Sequence, residues 1–308
     1  MKLATRINSF LPVNDNNMDK VFDQFQKLGL GYVDLNYPEH TDGFSPKEMK
    51  ALLDGHNLKL NGVALRFKND FVNGDLTNND DSVSKEAIEL CKSAADYCRK
   101  AGGNVVTIWM AHDAFDYSFQ INYLKVWNQL RCAFQEIADY APDLKISIEY
   151  KPFQPRAYAF IDSMGVTGMM VKEIDRRNVG ITLDYCHMLM KHENPAFAAD
   201  IFGSRKKLFG IHINDGYGLN DDGLMIGTAS PFKTLEFLYY VKKHNYNGMF
   251  YFDTFPVIEN ATDECQANID MIKKLDSLID SVGMEKISEI IEKNDAIAAH
   301  KLMIGFLK

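Results

Sequence analysis

The 308-residue chain is expected to be an α/β protein, a single (β/α)₈ TIM barrel with a C-terminal helical extension, and three observations carry that expectation. Eight short apolar runs alternate with longer segments whose apolar residues recur at three and four. No linker-like stretch interrupts them, which favours a closed barrel over an open doubly wound sheet. Four consecutive runs close on a carboxylate or an imidazole, as barrel strands do where their C-terminal ends share one mouth.

The predicted strands are 2–7 (KLATRI), 31–36 (GYVDLN), 59–65 (KLNGVAL), 104–109 (NVVTIW), 145–149 (KISIE), 180–184 (GITLD), 207–212 (KLFGIH) and 249–253 (MFYFD). Between them, Met18, Val21, Phe22, Phe25 and Leu28 lie on one helical stripe, and Phe237, Leu238 and Val241 on another. Ser82 is a weak start signal for the helix carrying Ala87, Leu90, Ala94 and Ala95, because Glu86 lies one residue beyond a true capping box. The barrel is assigned to 1–282. Residues 283–308, with Ile287, Ile290, Ile291, Ile297 and Leu302, read as an amphipathic extension that packs on the outer ring or meets a neighbouring subunit.

Composition narrows the function. With 46% hydrophobic and 25% charged residues the chain is globular. Its 34 basic against 42 acidic side chains give a net charge of -8, which disfavours nucleic acid and anionic membrane and leaves a neutral small molecule such as a sugar. Five cysteines without a CxxC pair suggest neither a disulfide framework nor a thiolate zinc site, and reduced thiols fit the cytoplasm. The N-terminal stretch reaches a Pro and an Asn/Asp cluster before any apolar run of signal-peptide length. No GxGxxG or GxxxxGK follows a strand, so no organic cofactor is expected.

The predicted ends of strands five to eight are Glu149, Asp184, His212 and Asp253. Each alone reads as a helix cap, an ion-pair member or a core histidine. Together, three carboxylates and an imidazole at adjacent strand ends repel unless a cation joins them. Oxygen ligands with one nitrogen favour Mn²⁺, Co²⁺ or Mg²⁺ over Zn²⁺. Lys151, two residues after Glu149, points to the same side, where it either polarises a substrate oxygen or pairs with a carboxylate. His187, three after Asp184, is a second-site ligand, a proton carrier or a neighbour of the ligands. The loop after His212 supplies Asp215, Asn220, Asp221 and Asp222, some of them ordinary turn residues. Arg66, Trp109 and His112 form an expected substrate wall, with Trp109 offering its face to a sugar ring. Arg6, Asn8, Asn36 and Tyr37 are further hydroxyl partners.

At IEYKPF (148–153), LDYCH (183–187), IHIND (211–215) and FDTFP (252–256) the chain resembles the xylose-isomerase-like barrel superfamily over roughly residues 1 to 280. The motifs are most similar to its rhamnose-isomerase branch. The resemblance implies a metal on Glu149, Asp184, His212 and Asp253, with Lys151 polarising the sugar carbonyl and His187 on a second, catalytic metal. That second site needs two aspartates one residue apart after IHIND. Here the run is Asn220-Asp221-Asp222-Gly223, and Asp222 is the expected partner of His187. Two metals imply a hydride shift, and one implies proton transfer through an enediolate, with Glu149, His187 or Asp253 moving the proton.

The leading expectation is therefore a metal-dependent sugar isomerase acting as a homo-oligomer. The large subunit of a C-glycoside deglycosidase, a lyase with a small β-rich partner subunit, is the principal alternative. A ketose epimerase, disfavoured by Asp253 where epimerases have Glu, and a non-catalytic sugar-binding module are the others.

Overall fold

The computed structural model describes residues 1–307. Eight parallel strands form the sheet: β1 (Lys2–Thr5), β2 (Tyr32–Tyr37), β3 (Lys59–Leu65), β4 (Val105–Trp109), β5 (Lys145–Glu149), β6 (Val179–Asp184), β7 (Leu208–Ile213) and β8 (Met249–Phe252). Parallel ladders join them in chain order from β2 to β8 and then β8 to β1, giving a nearly closed barrel wrapped by helices.

Alternation along the strands divides the interior in two. Outward residues such as Val33, Leu35, Ile146, Ile148, Ile181, Leu183, Ile211 and Phe250 join the main core beneath the helices. Ala4, Met249 and Tyr251, with Tyr32 packed on them, form a separate small cluster. Higher up the lumen, Ser147 and Thr182 are hydrogen-bonded at 2.6 Å. Beside them, a Cβ on Gly210 would lie 2.5 Å from the Thr182 hydroxyl, so this layer has room only for glycine in β7.

Caps set where the outer helices begin. Asn17 accepts the N–H groups of Asp19 and Lys20 at the start of α1 (Met18–Lys27), and Ser45 with Glu48 forms a capping box on α2 (Pro46–Gly55). The next helix, α3 (Asp81–Ala101), is capped by Asp80, whose carboxylate accepts the N–H of Ser82. Ser82 is thus inside the first turn and is not its start signal. The ring continues through α4 (Tyr123–Tyr140), α5 (Met164–Ile174), a short α6 (Tyr185–Met190), α7 (Pro195–Ser204), α8 (Pro231–Lys243) and α9 (Ala261–Val282). A two-residue antiparallel ladder, Ala114–Phe115 with Tyr158–Ala159, ties the loops after β4 and β5 together. It is too short for a periodicity signal.

Gly283 at φ +88° separates α9 from α10 (Met284–Glu292) and α11 (Ala296–Phe306). Ile287 of α10 is buried, and Leu302 and Phe306 of α11 are partly buried against the main core, whereas Ile297 is 66% exposed and leaves the rest of α11 mostly open. Among the described residues no helix is long and apolar enough to cross a membrane.

Candidate active site

The ends of four neighbouring strands deliver the first group of side chains. Glu149 ends β5, Asp184 ends β6, and His212 is the penultimate residue of β7, with Asp253 one position past β8. Asp184 stands opposite His212 in the ladder, and one donor atom from each of the four residues lies within 4.8 Å of the others. His212 Nδ1 is 3.1 Å from Glu149 Oε1. Asn214 donates to both oxygens of Asp184, at 3.5 and 3.4 Å, and to the Asp253 carbonyl at 3.0 Å, so it ties the ends of β6 and β8.

The electrostatics are those of crowded carboxylates. Burial, then the charges of Asp221, Asp253 and Glu149, push Asp184 up to about 7 against the pull of His187. Burial opposes the charge on His212, but Glu149, Asp253 and Asp184 carry it to about 10. Burial likewise opposes the charge on Glu149, yet His212 and His187 hold it down at about 2. Buried Asp253 Oδ1 has no hydrogen-bond partner among the described residues. Three crowded carboxylates, an imidazole and an orphaned buried oxygen are a donor set that fits a divalent cation.

A second group adjoins the first. Asp184 also caps α6, accepting the His187 N–H at 3.0 Å, which brings the imidazole back over the strand ends. His187 Nδ1 donates to the Tyr150 carbonyl at 2.9 Å and Nε2 faces Asp221 Oδ2 at 3.3 Å. Lys151 Nζ donates to the same oxygen at 2.8 Å, so the ion pair considered for this lysine is formed. Burial depresses the His187 proton affinity, but Asp184, Asp221 and Glu149 raise it to about 9. Burial would raise Asp221, and His187 with Lys151 brings it well below the carboxylate range.

Asp222 does not take the place expected for it. Its Oδ2 accepts the Tyr217 N–H at 2.7 Å and closes its own loop, while the preceding Asp221 joins Asp184 and His187 within 4.8 Å. The Asp215–Leu224 bridge and Gly223 at φ +56° turn the loop so that these adjacent carboxylates diverge.

Both groups open into a cavity of about 180 Å³ whose lining also includes Arg6, Arg66, Trp109 and Phe255. Arg66 and Lys151 lie 6.0 and 5.3 Å from the Trp109 ring centre. Asn36 lines the cavity and donates to Asn8 at 3.0 Å, whereas Tyr37 packs on Tyr97.

His112 is not on this wall. After Trp109 the chain turns away, because the buried Asp113 carboxylate accepts the N–H groups of Asp75, Leu76 and Thr77 and the Thr77 hydroxyl, while the His112 N–H donates to Asp75. Asp113 is therefore a loop anchor. Burial, then the Asp113 charge, raises Asp75 to about 8. A raised folded-state value means that Asp75 contributes stability fully present below its unfolded value of about 4 and lost as pH rises through about 8. Asp75→Asn removes that ionisation, so its melting temperature should gain on the wild type by at least about 2 °C between pH 5 and pH 8. A gap that does not change with pH would refute this origin.

Asp34, on the lumen face of β2, was not foreseen. It is held by Asn61 at 2.9 Å, and burial raises its proton affinity. The signal was present, since Asp34 and Asn36 alternate in an otherwise apolar strand. Asn214 and Tyr251 gave no such signal.

A family profile described as a xylose isomerase-like TIM barrel matches residues 22–275. The xylose isomerase of Thermus thermophilus is 25% identical over 176 residues, 55% of this chain and 46% of that protein. The chain spans about half the length of the curated relatives it matches. Among solved structures, a D-allulose 3-epimerase from Methylomonas sp. superposes with a TM-score of 0.69 at 19% identity, covering 83% of this chain and 91% of that one. The 3-keto-D-glucoside 4-epimerase of E. coli superposes at 0.70 with 15% identity, covering 90% and 99%. At these identities the structural likeness establishes the shared fold.

Proposed function

Because the chain belongs to the xylose isomerase-like TIM barrel family, we propose that it is a divalent-metal-dependent sugar isomerase working by proton transfer through an enediolate, with one metal per chain. The observation that carries this reading is the difference between the two adjoining groups. Asp221 is paired with Lys151 at 2.8 Å and faces His187 at 3.3 Å. Glu149, Asp184 and Asp253 instead crowd together with His212, 3.1 Å from Glu149, as their one charged partner within hydrogen-bond distance among the described residues. His187 stands 3.8 and 3.9 Å from the first two and Arg6 4.0 Å from the third. The less closely paired group, Glu149, Asp184, His212 and Asp253, is therefore the place for one cation. Mn²⁺ suits that donor set, with Co²⁺ or Mg²⁺ able to replace it. When bound, the metal supplies Lewis-acid stabilisation of charge developing on the sugar oxygens.

The side chains supply the rest. Lys151, fixed by Asp221, directs its ammonium at the same developing charge. Glu149 or Asp253 takes the proton from the carbon beside the carbonyl while protonated His187 gives one to the carbonyl oxygen; the carboxyl then delivers its proton to the former carbonyl carbon as His187 takes back the proton of the neighbouring hydroxyl. Trp109 covers a face of the sugar and limits water. Epimerisation through the same enediolate is the second reading, favoured by the epimerases among the similar folds.

Incubating Mn²⁺-loaded protein with ketoses and aldoses in D₂O separates these readings. Solvent deuterium should enter the carbon next to the carbonyl, and only when metal is present. An aldose–ketose product identifies an isomerase, and a sugar inverted at that carbon identifies an epimerase. Isomerisation without deuterium would mean a hydride shift and would overturn the one-metal reading.

A further inference from the structure

Two arginines in the cavity wall, Arg6 and Arg66, make no side-chain hydrogen bond among the described residues, and the Nε atom of each is buried and unsatisfied. Arg6 lies over the Phe255 ring at 4.4 Å, and Arg66 stands 6.0 Å from Trp109, contacts that fix the planes without using the N–H groups. Both guanidinium charges are felt by His40 and by Tyr251, so the two arginines share one sector of the mouth, beside β1, β3 and β8.

The neighbouring carboxylates do not use these donors. Glu39 is engaged by Asn8 at 2.7 Å and by Asn36 at 3.2 Å. Asp253 stays 4.0 Å from Arg6 and belongs to the four-residue group. Each fork has its Nε shut off from solvent and its outer edge open to the cavity, and a bidentate oxyanion meets such a fork with two parallel hydrogen bonds. A neutral sugar hydroxyl presents one uncharged oxygen to the fork, where a carboxylate or phosphate presents two charged ones at matching spacing.

We infer that the cavity takes an anionic sugar, with its carboxylate or phosphate on Arg6 and Arg66 and its carbonyl end toward Glu149, Asp184, His212 and Asp253. This rests on the sugar-enzyme reading above for its substrate class, but its test reads binding and needs no turnover.

Calorimetry on the Mn²⁺-supplied full chain compares two matched pairs: D-xylulose with D-xylulose 5-phosphate, and D-glucose with D-glucuronate. At least one anion should bind tenfold or more tightly than its neutral parent. Arg6→Gln and Arg66→Gln should each shrink that gap, taken as the ratio of the two affinities within the same variant, by about tenfold. Arg66→Lys, which keeps the charge but not the fork, should retain part of the gap and guards against a folding defect. A gap in the phosphate pair alone assigns a sugar phosphate, and one in the carboxylate pair alone a sugar acid. Neutral parents that bind as tightly as both anions, no measurable binding of either anion, or glutamine variants that keep the full gap would each overturn the inference. Deuterium entry into a neutral sugar without an anion gap would leave the isomerase reading standing while this one falls.

Discussion

Asp184→Ala should bring bound Mn²⁺ below a tenth of an equivalent per chain and lower turnover by at least about a thousandfold, with the far-ultraviolet circular dichroism of the barrel unchanged. Asp184 belongs to both side-chain groups and caps α6 at the His187 N–H, so its loss removes a ligand and the positioning of His187 together. Removing a buried carboxylate that burial and like charges have raised to about 7 also relieves repulsion, so the fold itself should not suffer. His212→Ala tests the other side of the group, because it leaves α6 capped and takes only the single nitrogen donor. It should lose metal to the same extent. Metal content near wild type in both variants would refute the ligand assignment.

Lys151→Met should lower kcat by about a hundred- to a thousandfold with metal content unchanged. The ammonium is 2.8 Å from Asp221 and lies in the cavity beside Glu149. Methionine keeps the stem and its packing on Trp109 while removing the charge. Asp221 and His187 then face each other without the lysine, and the pH dependence of kcat should change shape along with its height. A variant with full kcat and only a raised KM would make Lys151 a binding group without a part in the chemistry.

The barrel was legible because its strands carry two patterns at once. Ile146, Ile148, Ile181 and Leu183 face the helices, while Ser147, Glu149, Thr182 and Asp184 face the lumen, so runs such as KISIE and GITLD end in the site. The four strand-end ligand candidates converge because every strand has its C-terminal end in the same mouth. What escaped was decided in loops. Which of Asp221 and Asp222 faces His187 depends on Gly223 and on the Asp215–Leu224 bridge, and no periodicity encodes that turn. His112 was placed in the wall as a continuation of strand four beyond Trp109, yet the hydrogen bonds that Asp113 accepts from residues 75–77 pull its loop aside. These contacts span some 37 positions of chain, beyond the reach of local sequence reasoning.

Elemental analysis of the Mn²⁺-exchanged, desalted protein tests the central claim most directly. One metal per chain, lost in Asp184→Ala and His212→Ala and retained in Lys151→Met, is the predicted result. Two metals per chain, or one that survives in Asp184→Ala and His212→Ala, would contradict the one-metal site on which the proposed chemistry stands.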